Sequence, residues 1–156
     1  MELHELLSSY VHKIKIQIRF KDIDKQGHVN NANHITYFET ARVEYFKDVF
    51  RNSIDWIKTG MILANTEITY KRPILLEDQV YCYTKITRFG TKSFEIENVL
   101  TIEDEHYKYL CAFGKSTLVC INYDTKKTIE VPKEWVESVK LKTSKNIYNK
   151  PTLKNH

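Results

Sequence analysis

An α+β fold, with an antiparallel sheet packed around one long helix, is what this sequence predicts, and three features carry the prediction. Isoleucines alternate with polar residues over 13–20, the period of two that marks a strand with one face in a core. Apolar residues then recur at helical spacing from Ile35 to Val49, the longest such stretch in the chain. Beyond Gly60 the pattern returns to strands, several in succession and divided by turn residues, which is how a meandering antiparallel sheet is written.

Taken in chain order, the first strand turns Ile14, Ile16 and Ile18 inward. An acidic turn follows from Asp22, and Asn30 or Asn31 can cap a helix running to about Phe50, with Ile35, Phe38, Ala41 or Arg42, Tyr45, Phe46 and Val49 along its inner side. Ser53 is a good cap for a short second helix through Asp55, Trp56 and Ile57, and Gly60 is placed to end it. Strands are expected over 63–70, 79–88, 92–103 and 106–122, separated by Arg72-Pro73, Phe89-Gly90, Glu103-Asp104-Glu105 and Tyr123-Asp124. A short helical turn from Pro132 faces Trp135 and Val136 inward. The organisation is one domain over 1–141 and a polar, mobile tail over 142–156, with no repeat and no linker.

Composition narrows the function classes. A chain of 156 residues buries a core without disulfides or a structural metal. The formal charge of +4 is spread among acids along the chain, which argues against nucleic acid and leaves a phosphate-bearing small ligand open. Three cysteines without a C-x-x-C pair, and no apolar run after Met1, predict a reduced cytoplasmic setting. No apolar run is long enough to span a bilayer.

The chemistry is expected at the turn that opens the long helix, where Asp22, Asp24, Gly27 and His28 lie within seven residues. A carboxylate there sits beside the positive end of a helix dipole and its free N–H groups. Calcium fails, because the fifth and twelfth loop positions are Gln26 and Asn33 where an EF-hand needs oxygen ligands ending in a bidentate Glu. His28 and His34 are six apart, a spacing that suits no zinc motif, so no metal is expected. Cys82, Cys111 and Cys120 read as buried small hydrophobes, and no Gly-x-Ser-x-Gly elbow exists. What remains is a carboxylate.

The run Asp22-Ile23-Asp24-Lys25-Gln26-Gly27-His28-Val29-Asn30-Asn31, continued by Tyr37-Phe38-Glu39-Thr40-Ala41-Arg42, resembles the hot-dog-fold thioesterases of the 4-hydroxybenzoyl-CoA thioesterase type. Glu67-Ile68-Thr69-Tyr70-Lys71-Arg72-Pro73-Ile74, Glu77-Asp78-Gln79-Val80 and Arg88-Phe89-Gly90-Thr91-Lys92-Ser93-Phe94 agree with it in order and spacing. The resemblance implies a five- or six-stranded antiparallel sheet wrapped around the long helix. It also implies homodimers or homotetramers with sites at the dimer interface, and hydrolysis of an acyl-CoA without a cofactor. Asp24 falls at the catalytic carboxylate position, as nucleophile or general base, with N–H groups near Asn30 and Asn31 polarising the thioester carbonyl.

The remaining turn residues divide as follows. Asp22 braces the turn, Gly27 supplies a positive φ or close approach to substrate, and Asn31 stands where relatives carry an aromatic pocket residue. His28 resembles a catalytic histidine of the plant acyl-carrier-protein thioesterases, but Gln26 replaces the asparagine that goes with it there, which leaves His28 catalytic, orienting or structural. Glu39 is read as packing, and Arg42 as holding a carboxylate internally. For the phosphates of CoA the candidates are Arg72, Arg88, Lys92 and Lys115. The alternatives to hydrolysis of acyl-CoA are an acyl-carrier-protein thioester as substrate, a non-catalytic acyl-CoA-binding module, and an enoyl-thioester hydratase. Ten tyrosines and seven phenylalanines at core spacing suit a packed interior as well as any acyl pocket.

Overall fold

Alternation and helical spacing resolve into a sheet curled around one helix. The computed structural model describes residues 2–148, with side chains as far as Thr143. Among these residues the elements are α1 (Leu3–Ser8), β1 (His12–Ile16), α2 (Asn31–Phe50), β2 (Thr59–Tyr70), β3 (Val80–Phe89), β4 (Ser93–Glu103), β5 (Lys108–Asn122), β6 (Lys127–Thr128) and α3 (Lys133–Tyr148). The sheet runs β1-β3-β4-β5-β2, wholly antiparallel, with β6 on the end of β5.

α2 lies against the concave face, where two clusters meet it. Tyr37, Phe38 and Ala41 from its first half pack on Ile16, Val80, Cys82, Leu100 and Ala112. Tyr45, Phe46, Val49 and Phe50 pack on Phe94, Ile96, Leu118 and Trp135 of the far half. Phe38 is fully buried and its ring presses on the backbone of Gly114, where a Cβ would overlap it. Helix and sheet therefore approach closely because one β5 position has no side chain. This is the hot-dog arrangement.

Several local expectations change. β1 ends at Ile16 because Asp22 claims the Arg19 N–H at 3.0 Å and the chain turns through a 3-10 helix at Phe20–Asp22. The Ser53 hydroxyl caps nothing ahead of it: it donates to the Phe50 carbonyl at 2.6 Å, and residues 51–53 form a 3-10 turn with Arg51 at φ 50°. Gly60 ends no helix; it lies in β2 against the Tyr123 ring. β5 begins at Lys108 because the Asp104 carboxylate accepts the N–H groups of His106 and Tyr107, each at 2.7 Å.

Two helices exceed what periodicity showed. α1 covers the outer sheet face, where Leu7 and Tyr10 pack on Tyr83 and Val99. α3 buries Trp135 completely, leaves Val136 half-buried, and continues to Tyr148, past the point where the tail was expected to start. The rest of that tail, 149–156, lies outside the described residues. No described helix is long and apolar enough to cross a membrane.

Candidate active site

The acidic turn is a tight hairpin. The Asp24 N–H donates to the His28 carbonyl at 2.8 Å and the Gly27 N–H to the Asp24 carbonyl at 3.0 Å, with Gly27 at φ 81°. No atom crowds a Cβ there, so glycine is required for its backbone angle alone. Val29 ties the hairpin to the Ile74 carbonyl, and Asn30 ties it back to the Asp22 carbonyl, each at 2.8 Å.

The two acids have opposite surroundings. Asp22 is 1% exposed, accepts from the Arg19 guanidinium at 2.9 Å and from the Tyr37 hydroxyl at 2.7 Å, and is the buried brace expected. Burial pushes its carboxyl up, but the hydrogen bonds from Arg19 and Tyr37 outweigh burial and hold it below the usual carboxylate range. Asp24 is half-buried, and among the described residues only Oδ1 is engaged, by the Gln26 N–H at 2.9 Å. Its second oxygen accepts from none of them.

The start of α2 is narrower as a donor than helix ends in general. Asn30 is the cap, its side chain accepting the Ala32 N–H at 2.9 Å, and the Asn33 N–H goes to the Asn30 carbonyl. The Asn30 N–H itself is spent on Asp22. That leaves the Asn31 N–H as the unclaimed donor of the first turn. Asp24, His28, Asn30 and Asn31 all line one cleft of about 470 Å³, together with Gln26, His34, Tyr70 and Arg72.

The structure does not bring every candidate here. Arg72 lines the cleft, but Arg88 and Lys92 sit on the β3–β4 hairpin, beside the Phe94 end of the core. Arg88 and Lys115 are both paired with Glu95, at 3.2 and 3.3 Å, and Lys92 reaches Thr128. Gly27 shapes the turn but is not among the cleft's lining residues. Arg42 is buried, yet among the described residues no carboxylate lies within ion-pair distance and its Nη1 has no partner. Glu39, one turn earlier, stays in water instead. Burial pushes the thiols of Cys82 and Cys111 up to about 12 and that of Cys120 to about 11, which keeps them protonated and unreactive.

His34 and Tyr70 line the cleft, although the sequence offers His34 only in a rejected metal spacing and Tyr70 only within a strand motif. His34 is 2% exposed, and burial depresses its pKa despite the nearby carbonyls of Asn30 and Asn31, so the ring is neutral near pH 7. Tyr70, at the end of β2, meets that ring edge-on at 4.9 Å and donates its hydroxyl to the Asn31 carbonyl at 3.1 Å. His34 lies one helical turn past the cap, a spacing that could have placed it on the same side. Nothing local could have delivered Tyr70, which arrives through the β2–β5 pairing.

Known proteins share this fold. A family model of the thioesterase-like superfamily matches residues 18–139. The long-chain acyl-CoA thioesterase FadM of Escherichia coli is 27% identical, over 80% of this chain and 94% of that protein. The crystal structure of a thioesterase from Thermus thermophilus complexed with coenzyme A and Zn has a TM-score of 0.75 at 27% identity, covering 87% of this chain and 96% of that one. A mutant 4-hydroxybenzoyl-CoA thioesterase complexed with 4-hydroxybenzoyl-CoA shares the fold, with a TM-score of 0.74 at 18% identity over 81% of this chain and 96% of that one. With most of its length inside one family model and its sheet curled around α2 in the same way, the chain belongs to the thioesterase-like superfamily and has the hot-dog fold of the 4-hydroxybenzoyl-CoA thioesterase type.

Proposed function

We propose that this thioester hydrolase cleaves acyl-CoA to a free carboxylic acid and CoA, with Asp24 as nucleophile or general base. The observation that carries the reading is the pairing, along one cleft, of a carboxylate oxygen without a partner and the unclaimed Asn31 N–H at a helix start. As the carbonyl carbon becomes tetrahedral, charge grows on its oxygen, and a prepositioned N–H stabilises that charge by about 3 kcal/mol. The dipole of α2 adds to it.

Asp24 either attacks the carbonyl carbon itself, forming an anhydride that water then opens, or takes a proton from water as that water attacks. Either way the C–S bond breaks, the electron pair leaves on sulfur, and the thiolate is protonated. A thiolate leaves without a strong acid beside it, so a carboxylate and one donor suffice. His28 and the buried, neutral His34 then orient substrate or water rather than drive the leaving group.

The same reading assigns β2 to a dimer interface. β2 is an edge strand, with Ile62 48% and Leu63 40% exposed, and it ends in Tyr70 on the cleft wall. An unpaired apolar edge is the usual template for pairing with a second chain. A second copy there would close the cleft from the side of Tyr70.

The test is thiol release from a panel of short, long and aromatic acyl-CoAs by wild-type and Asp24→Asn protein. The variant should lose about a hundredfold or more in kcat while acyl-CoA binding and the unfolding transition hold. Full turnover by the variant refutes the mechanism.

A further inference from the structure

We propose that the nucleotide end of coenzyme A docks on the β4–β5 hairpin, with its purine stacked on Tyr107 and its phosphates on Arg72 and Lys71. The inference rests on reading the protein as an acyl-CoA thioesterase and identifies where the far end of that substrate is held.

A ladder of flat groups leads from the cleft to the tip of the hairpin. Lys71 and Arg72 line the cleft, and their backbone N–H groups both donate to the Cys111 carbonyl, at 2.8 and 3.1 Å, which fixes this loop against β5. The Arg72 guanidinium lies over the Tyr109 ring at 4.0 Å. Tyr109 in turn stacks on Tyr107, centroids 6.0 Å apart and planes 18° apart. Tyr107 is 60% exposed, and among the described residues its other ring neighbour is His106, edge-on at 6.2 Å.

An exposed tyrosine alone means little, because most of a protein surface is apolar atoms. This one differs in being held. The Asp104 carboxylate accepts the N–H groups of His106 and Tyr107 and sets the hairpin backbone, so the ring is presented at small entropic cost. A guanidinium held over a ring satisfies none of its N–H groups there, which leaves them for phosphate oxygens. Neither Arg72 nor Lys71 has a carboxylate in ion-pair distance among the described residues. The other cations once considered are engaged elsewhere, Arg88 and Lys115 with Glu95 and Lys92 with Thr128.

The order of groups also fits. From inside outward the protein offers a carboxylate and an N–H donor, then two cations, then an exposed ring. CoA offers a thioester, then the uncharged pantetheine arm, then its diphosphate, then a ribose that carries both the 3′-phosphate and the purine. The acids of the hairpin, Asp104 and Glu105, sit at the tip, which suits the uncharged base there and leaves the diphosphate and the ribose 3′-phosphate to be turned inward toward Arg72 and Lys71.

Steady-state kinetics on an acyl-CoA and the matching acyl-pantetheine, which lacks the nucleotide, test this directly. Wild-type protein should show the lower KM for acyl-CoA, and Tyr107→Ala should shrink that KM ratio by about fivefold or more. Tyr107→Phe, which keeps the stacking face, should restore it. Adenosine 3′,5′-bisphosphate should compete with acyl-CoA in wild-type protein and several-fold more weakly in Tyr107→Ala. An unchanged KM ratio in Tyr107→Ala overturns the proposal. Should no acyl-CoA be hydrolysed, the hydrolase reading fails alone, and calorimetric titration with CoA still decides: weaker binding by Tyr107→Ala supports the site, and equal or absent binding removes it.

Discussion

Tyr37→Phe deletes one hydroxyl and nothing else, and it isolates the brace that shapes the acidic turn. Tyr37 is 3% exposed and donates to Asp22, itself 1% exposed, at 2.7 Å. A hydrogen bond to a charged acceptor that is shielded from water contributes about 1.5–3 kcal/mol, and the phenyl ring refills the space, so the loss near pH 7 should fall in that range. The pH dependence follows from the Asp22 carboxyl. Hydrogen bonds hold it below its unfolded value of 3.8, so its contribution is present above that value and is lost as pH falls through the folded pKa. Removing Tyr37 brings the folded pKa nearer to the unfolded one. The stability difference between the proteins should therefore be full at pH 7 and shrink once both carboxyls are protonated, which urea unfolding from pH 7 down to below the folded pKa of Asp22 measures. A difference under about 0.5 kcal/mol, or one that does not change with pH, would refute the argument. Because Asp22 also ties the turn to Asn30 and Asn33 through its carbonyl, kcat should fall in the variant more than KM rises.

Other perturbations separate backbone, cap and packing. Gly27→Ala forces an L side chain to φ 81° where nothing else obstructs it, so about 1–2 kcal/mol of stability should go, with kcat reduced as the hairpin reshapes; an unchanged unfolding midpoint would show that the turn adapts freely. Asn30→Ala removes the side chain that caps the Ala32 N–H and should cost about 1 kcal/mol, read by thermal melting, whereas Asn30→Asp should retain most of it. Gly114→Ala puts a methyl into the Phe38 ring and should destabilise by about 1–3 kcal/mol. Combining it with Phe38→Leu should lose less than the sum of the two single changes, and strict additivity would mean the two positions do not meet.

Much of the fold was legible because periodicity speaks for packing. The α2 cap at Asn30 and the burial of Phe38, Tyr45, Phe46 and Val49 follow from helical spacing, and β3 differs from expectation by one residue at each end and β4 by one residue at its start. Misreadings cluster where a side chain captures the backbone. Asp22 ends β1 early, Asp104 delays β5, and Ser53 bonds backward to Phe50 rather than forward into a new helix. A carboxylate or hydroxyl near a turn announces such a bond but not its direction. The site split likewise: Asp24, His28, Asn30 and Asn31 are contiguous and were found together, while Tyr70 and Tyr107 reach the substrate path only through strand pairing. Arg88 and Lys92 looked like phosphate binders by charge, which carries no information on which end of a sheet a residue occupies.

The two acids of the turn show how one local sequence supports both rigidity and reaction. Asp22 and Asp24 are separated by a single residue, and the 3-10 turn at Phe20–Asp22 sends the first inward while the hairpin holds the second at the cleft. A carboxylate that accepts from a guanidinium, a tyrosine and a backbone N–H has its lone pairs committed and cannot attack. One that accepts a single backbone N–H on Oδ1 keeps an oxygen for chemistry, and that same N–H fixes where the oxygen points. Preorganisation of Asp24 is thus delegated to Asp22, Arg19 and Tyr37, none of which lines the cleft. Swapping the positions, Asp22→Asn against Asp24→Asn, should separate the roles: the first lowers the unfolding midpoint together with kcat, and the second lowers kcat with the midpoint held.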